Sequence, residues 1–553
     1  MKAFLRFTVL LLALLMLSCH QPHEKNEPPV LWESYDEFQE IADQQSHELP
    51  RMQFKLIQSK LLDKNEVFRP LYNDVSAFSE SRYLEIYPLI MEQDIPTIQL
   101  HISKGKFTYE ELTLFFLKRI YKYELDPAFS LHTIIALNRN VLEQARARDK
   151  NKLENSHPIY GMPILLKDNI NTRGINASAG AAILKESTAG KEAFLVTELE
   201  KKGALILGKV NLSEWAYYFC TGCPLGYSAV GGQTLNPYGR KVFETGGSSA
   251  GSGTSVAANY AVAAVGTETS GSIISPSSQN SVVGLKPTIG VISRSGLVPI
   301  SHTLDTPGPM TKNVIDNAIL LDAMAGKDTK DTITVVKRQS YLIARVNSGL
   351  KGKRLGVMKS LLKDSIYATT VKKLEKEGAI LIEYNPPEIS LDGFLSVLNL
   401  EMKADLPIYL AAYTTINDSI KTLSDVMAYN AKDSLIRMPY HQGVFDRIMI
   451  DSTSSEQLTE IRANLLKNGT AFFQQPMVEY KLDAILSINN YHSAAAAVGL
   501  HPCLTVPMGY KPSGEPISLT LIGSPFSEQS LLSMGYSIEK SLNARRIPEA
   551  YKD

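Results

Sequence analysis

The chain has 553 residues, of which 44% are hydrophobic and 21% charged, a globular composition. Its 57 Lys and Arg residues balance 57 Asp and Glu, and no basic stripe breaks that balance. This excludes the electrostatic footprint of a nucleic-acid-binding protein. No internal repeat or low-complexity linker divides the chain beyond residue 31, so one large domain with a small N-terminal addition is expected.

At the N-terminus, Lys2 and Arg6 precede the wholly apolar run Val9–Leu17, and Ser18-Cys19 follows at once. A positive region before a short apolar run is an export signal. It is shorter than the ~20 apolar residues a spanning helix needs. Met16-Leu17-Ser18-Cys19 resembles a bacterial lipobox, with Met where Leu is more usual. The expectation is a signal over residues 1–18, a lipid anchor at Cys19 and a flexible tether over 19–30. The plainer alternative is a secretory signal with an incidental cysteine. Either reading places the mature protein outside the cytoplasm, in the cell envelope.

Residues 31–95 carry apolar residues at roughly helical spacing, as in Phe38, Ile41 and Ala42, or Phe54, Leu56, Ile57 and Leu61. They predict an N-terminal extension of two or three helices. Gln99–Lys104 and Thr108–Tyr123 read as helices, the second opened by a capping box at Thr108 and Glu111. His132–Asn138 reads as a strand and Val141–Arg148 as a helix. Met162–Lys167 and Ala204–Gly208 then read as strands on either side of a helix at Glu192–Lys201. This alternation predicts an α/β fold with a largely internal sheet.

Two sites stand out chemically. The strand ending Pro163-Ile-Leu-Leu-Lys167-Asp-Asn169 carries a lysine where an apolar run stops. Burying a charged amine costs several kcal/mol, on the order of its lost hydration, unless it is paired or neutral. Alone, Lys167 reads as a strand-end lysine reaching solvent. The second site changes that balance: ETGGSSAGSGTSVAANYAVAAVGTETSGSIISP, from Glu244 to Pro276, is rich in glycine and serine. A serine nucleophile needs a base, and a desolvated, neutral lysine can serve as one. None of the 10 histidines sits in G-x-S-x-G or H-E-x-x-H, and no phosphate loop is present. Cys220-Thr-Gly-Cys223 has the spacing of half a zinc site. Nothing completes it, so two loop cysteines, open to a local disulfide, are expected, and no metal.

Pro163–Asn169, Gly208-Lys-Val-Asn-Leu-Ser-Glu214, Gly246-Gly-Ser-Ser-Ala-Gly251, Gly266-Thr-Glu-Thr-Ser-Gly-Ser272 and Gly284-Leu-Lys-Pro-Thr288 occur in one order. Together with Asp305-Thr-Pro-Gly-Pro309, Leu504-Thr-Val-Pro507 and Ser527-Glu528 they resemble the amidase signature family over residues 96–545, most of all its bacterial peptide amidase branch. The resemblance implies a large mixed central sheet with helices on both faces. It also implies a Ser-cisSer-Lys triad: Lys167 as base, Ser248 as bridging serine and Ser272 as nucleophile, with Ser248 and Ser272 24 residues apart as in the family. Backbone N–H groups of Thr269, Ser270, Gly271 and Ser272 would cradle the oxyanion. Ser249, the obvious rival of Ser248, is set aside on spacing. Ser252, Ser255 and Ser275 are expected to be structural. Asp168, Asn169 and Asp305 are expected to hold loops.

Three positions depart from the family pattern. Ser270 stands where many members have Gly or Asp, Ile274 where many have Arg, and Ala250 where Gly or Ser is common. The implied function is an exported amide hydrolase that needs no cofactor and acts on a small-molecule or peptide amide. Two alternatives accompany it: a surface binding lipoprotein of the same fold with impaired catalysis, and the amidase subunit of a tRNA-dependent amidotransferase. The export signal argues against the second. The substrate pocket is expected to be shaped by Trp215–Gly226 and by residues 390–470.

Overall fold

The computed structural model of the protein describes residues 29–151, 156–188, 190–336, 340–342, 349–416 and 419–553. The expected signal peptide, Cys19 and most of the tether lie outside the described residues. In chain order the strands are β1 (Ile134–Leu137), β2 (Pro163–Lys167), β3 (Leu205–Val210), β4 (Tyr227–Ser228), β5 (Gly232–Gln233), β6 (Ala263–Glu268) and β7 (Val283–Lys286). They continue as β8 (Thr306–Thr311), β9 (Arg354–Met358), β10 (Ile380–Tyr384), β11 (Ala484–Ile488), β12 (Cys503–Tyr510) and β13 (Pro516–Ile522). Among the described residues, β4 and β5 form a hairpin of their own, and the others build one 11-stranded sheet in the order β1-β3-β2-β6-β8-β7-β12-β13-β11-β9-β10.

The sheet is mixed. β2 runs parallel to β3 and β6, and β9 runs parallel to β10 and β11. The remaining pairings, such as β6 with β8 and β12 with β13, are antiparallel. Every residue of β2, β3, β6, β7, β8, β11 and β13 is buried. Neighbouring strand residues point to opposite faces, so both faces of the sheet are covered. That is why these strands read as unbroken apolar runs rather than as an alternation.

The expected capping box is present. Glu111 N–H donates to Thr108 Oγ1 at 3.1 Å, and Thr108 N–H donates to the Glu111 carboxylate at 3.0 Å. It opens the helix Tyr109–Glu124, whose Leu112, Phe115, Phe116 and Ile120 are fully buried. The N-terminal part is helical, but in more and shorter pieces than the spacing predicts: Phe38–Gln44, Lys64–Phe68, Tyr72–Ala77 and Glu80–Ile90. Phe54–Leu61 is not a helix. Its backbone finds partners elsewhere: Gln58 N–H donates to Glu37 Oε2 at 2.7 Å, and Ile57 O accepts from Gln233 N at 2.8 Å. Phe54 and Ile57 still enter the core, which is continuous from Met52 to Tyr551.

Candidate active site

Lys167 is the last residue of β2 and is completely buried. The neighbouring parallel strand β6 pairs Val265 with Leu166, which places Thr267 beside the lysine. Three contacts surround Lys167 Nζ: Thr267 O at 3.1 Å, Thr267 Oγ1 at 2.8 Å and Ser248 Oγ at 2.7 Å. Burial brings the ammonium down from its ordinary 10.5 to about 7, against the opposing pull of Asp305 and Glu268.

That geometry assigns the protons. A neutral amine has two N–H bonds and one lone pair. Thr267 O can only accept. Thr267 Oγ1 already accepts from Asn169 Nδ2 at 2.9 Å and faces Lys167 as an acceptor too. Both N–H bonds are thereby used on Thr267, and the lone pair is left for Ser248. In the neutral state Ser248 O–H donates to Lys167 Nζ; in the charged state the direction reverses. Thr267 did not stand out in the sequence, although it lies within Gly266-Thr-Glu-Thr269 on the strand next to the lysine.

Ser248 follows a tight turn. The Gly247–Ser248 peptide is cis, as the family resemblance implies. Gly246 has φ +64°, and a Cβ there would lie 2.7 Å from Pro276 Cα, so only glycine fits. Ser248 is fully buried, and its carbonyl accepts from Ser213 N at 3.0 Å. Ser249 points elsewhere: its hydroxyl donates to Thr267 O at 3.0 Å and accepts from Thr267 N at 3.2 Å. Its own N–H donates to Ser272 O at 3.1 Å, tying the two serine turns together.

Ser270 and Ser272 are half-buried, unlike the enclosed Ser248. No hydrogen bond joins the hydroxyls of Ser248 and Ser272 among the described residues. Such contacts often close only around a substrate. Among the described residues no main-chain acceptor takes the N–H of Ser270, Gly271 or Ser272. Gly271 has φ +83°, a left-handed conformation that favours glycine. Glu268 secures the far side of the turn by accepting from Ile273 N at 2.7 Å and Ile274 N at 3.0 Å. Asp305 secures the near side, accepting from Thr269 Oγ1 at 2.5 Å, Ile300 N at 2.8 Å and Ser301 N at 2.9 Å. Burial raises Asp305 from 3.8 to about 6 against those hydrogen bonds.

A family model for amidases matches residues 111–532. The chain belongs to the amidase family. A probable amidase of Arabidopsis thaliana is 36% identical over 483 residues, covering 83% of this chain and 92% of that protein. An amidase family protein from Bacillus anthracis shares the fold with a TM-score of 0.85 at 34% identity, covering 89% of this chain and 99% of that one. The native peptide amidase from Stenotrophomonas maltophilia gives a TM-score of 0.77 at 33% identity, covering 83% and 99%. A glutamyl-tRNA(Gln) amidotransferase component from a Ruegeria species is 29% identical over 485 residues, covering 80% of this chain and 95% of that protein. The protein is an amide C–N hydrolase of this family.

The departures from the family pattern have local explanations. Ile274 is fully buried among Met358, Phe473, Ile485 and Cys503, so it fills an apolar space where a charge would be costly. Ala250 is likewise buried, at the start of the helix Ala250–Ala257. Ser252 and Ser255 are spent on Val265 O and Ser252 O, at 3.0 and 3.1 Å. Asp168 accepts from Ser178 N at 3.0 Å and holds the loop after the lysine.

Cys220 and Cys223 form a disulfide. Among the described residues no group of three or more His, Cys, Asp or Glu side chains is placed to hold a metal ion. The disulfide belongs to a second apolar cluster, separate from the main core. Trp215, Tyr218 and Phe219 meet Val298, Ile300 and Leu304 there, along with Met402, Val444 and Phe445 from the 390–450 helices. Tyr218 and Phe219 are thus packed inside this cluster. Both ends of the Trp215–Gly226 loop return to Ser213: Tyr217 N donates to its carbonyl at 3.1 Å and Gly226 N to its hydroxyl at 2.8 Å. Trp215–Gly226 and the 390–450 helices therefore share one cap, anchored beside Ser248.

Proposed function

We propose that the protein hydrolyses a carboxamide through an acyl-serine intermediate on Ser272, with Ser248 as proton relay and Lys167 as base. The observation that carries this reading is the buried 2.7 Å contact between Lys167 Nζ and Ser248 Oγ. Ser272 Oγ attacks the amide carbon as its proton passes to Ser248 and the Ser248 proton passes to Lys167. The C–O bond forms, and the carbonyl oxygen takes up charge facing the N–H groups of the Thr269–Ser272 turn. Donors fixed where charge develops are worth about 3 kcal/mol each. Lys167 then returns a proton through Ser248 to the departing nitrogen, and the C–N bond breaks. Water enters by the same relay, releasing a carboxylate and restoring Ser272.

Ser272→Ala should abolish both amide hydrolysis and labelling by a serine-directed phosphonate. Full activity in that variant overturns the assignment. A wild-type chain that is neither labelled nor active would instead favour the binding lipoprotein. The likeness to the peptide amidase supports C-terminally amidated peptides and small neutral amides as substrates, to be tested as a panel read by ammonia release. The protein is further proposed to be exported and anchored through Cys19. Support comes from the N-terminal charge and apolar pattern and from the Cys220–Cys223 disulfide, a bond at home in oxidising compartments. Both features disfavour partnership with cytoplasmic tRNA. No helix among the described residues is long and apolar enough to cross a membrane. Cys19→Ala should move the protein from the membrane fraction to the soluble one, and unchanged fractionation would refute the anchor.

A further inference from the structure

Glu401 lies on the cap helix Phe394–Tyr413, only 1% exposed. A carboxylate buried that deeply is costly unless its oxygens are met by donors. Here they are met from two sides. Arg462, on the helix Ser455–Glu479, reaches Glu401 Oε1 at 2.7 Å. Ser301 Oγ donates to Oε2, Thr303 Oγ1 lies 2.9 Å from both oxygens, and Thr303 N donates at 3.2 Å. His302, between them, contacts Asp405 at 2.9 Å, lies 3.7 Å from Glu401 and 3.4 Å from Arg462. Arg294 donates to His302 O and pairs with Asp331.

The turn that Glu401 grips from the cap is the one Asp305 grips from the core. Ser301 donates its N–H to Asp305 and its hydroxyl to Glu401. Asp305 in turn accepts from Thr269, three residues before Ser272. A continuous line of hydrogen bonds therefore runs from the cap helix to the serine turn: Glu401, Ser301, Asp305, Thr269. Its links are short and buried, and buried polar networks whose members are satisfied fix geometry strongly.

We propose that Glu401 is a positioning residue for amide hydrolysis, setting the Thr269–Ser272 turn through Ser301 and Asp305. The inference rests on the reading of Ser272 as nucleophile and of its turn as the oxyanion cradle. Its signature is a loss of rate rather than of binding, because misplaced donors weaken the transition state more than the bound substrate. A carboxylate that only glued the cap in place would give the opposite: a lower unfolding midpoint and a raised KM at unchanged kcat.

The test uses the full chain with one amide substrate. Glu401→Gln keeps the shape and removes the charge, and Ser301→Ala removes only the hydroxyl link. Each should lower kcat roughly tenfold with KM within about twofold. Asp305→Asn should cost more, and adding Glu401→Gln to it should cost little further, since both act on one line. Should Glu401→Gln fail to fold, Ser301→Ala decides alone. The proposal is overturned if Ser301→Ala keeps wild-type kcat, if KM alone rises, or if the Glu401 and Asp305 losses multiply independently. Phosphonate labelling of Ser272 in the wild type separates the two levels. If the wild type is labelled and the cap variants behave as wild type, only this inference fails; without labelling, the acyl-serine reading fails first.

Discussion

The neutral lysine makes the sharpest prediction. At a pKa of about 7, Lys167 is half neutral at pH 7, whereas a lysine at its ordinary 10.5 would be neutral in only about one molecule in 3,000. That lowering corresponds to roughly 5 kcal/mol against charging this site, the cost of burial left after Asp305 and Glu268 have pulled the other way. Only the neutral form can take the Ser248 proton. The rate of acylation should therefore rise tenfold per pH unit up to about 7 and then level off, so that about one hundredth of the plateau remains at pH 5. Measuring kcat/KM for an anilide from pH 5 to 9 reads the free enzyme. Asp305→Asn, by removing a negative charge that favours the ammonium, should move this limb to lower pH while lowering the plateau. A flat profile from pH 5 to 8, or a limb near pH 10, would show that Lys167 is not the base or is not neutral.

The same shift has a stability counterpart. Between pH 7 and 10.5 the unfolded chain protonates Lys167 and the folded chain does not, so this group lowers folded stability as pH falls through that window. Lys167→Met removes the effect, and its stability relative to wild type should rise by about 2–3 kcal/mol between pH 9 and pH 6; denaturant titrations that give a pH-independent difference refute this. Replacing Cys220 and Cys223 together by serine opens a short loop, worth about 2 kcal/mol by chain entropy. Because that loop belongs to the cap cluster, KM should rise more than kcat falls, as steady-state kinetics would show. Gly246→Ala forces a Cβ to within 2.7 Å of Pro276 Cα at φ +64°. It should destabilise by more than the ~1 kcal/mol of backbone strain alone and remove activity, and a folded, active variant in thermal melts and assays would contradict the turn geometry.

Much of the catalytic core was legible in the sequence because short-range order carries it. An apolar run ending in Lys167 becomes β2, since a strand buried on both faces needs no alternation. The glycines around Ser248 mark a backbone that side chains cannot follow. Ser248 could be told from Ser249 only through spacing shared with a family, whereas in the fold the two differ by their partners: one serine meets the lysine, the other meets Thr267. Thr267 itself was silent, because its role depends on which strand lies next to β2, and β6 is separated from β2 by nearly a hundred residues of chain. The helical reading of Phe54–Leu61 failed for a related reason. Its spacing fits a helix, but Glu37 and Gln233 offer its backbone better partners, and no local pattern announces them.

The cap was the least legible part, and its chemistry explains why. Trp215–Gly226 and the 390–450 helices each look like ordinary amphipathic or aromatic segments. Their meaning lies in a shared apolar cluster and in a few polar contacts across it, such as Glu401 to Ser301. A buried carboxylate in a helix of ordinary pattern gives no sign of which turn it grips. Yet the cap stands apart from the lysine and serines: the Lys167–Ser248 pair is enclosed by β2, β6 and the glycine turn, while the cap hangs on Ser213, on the disulfide loop, on the Ser301 turn and, through Tyr409, on Asn171. Substitutions at these joints should alter rate and selectivity together, whereas substitutions elsewhere in the cap should alter selectivity alone.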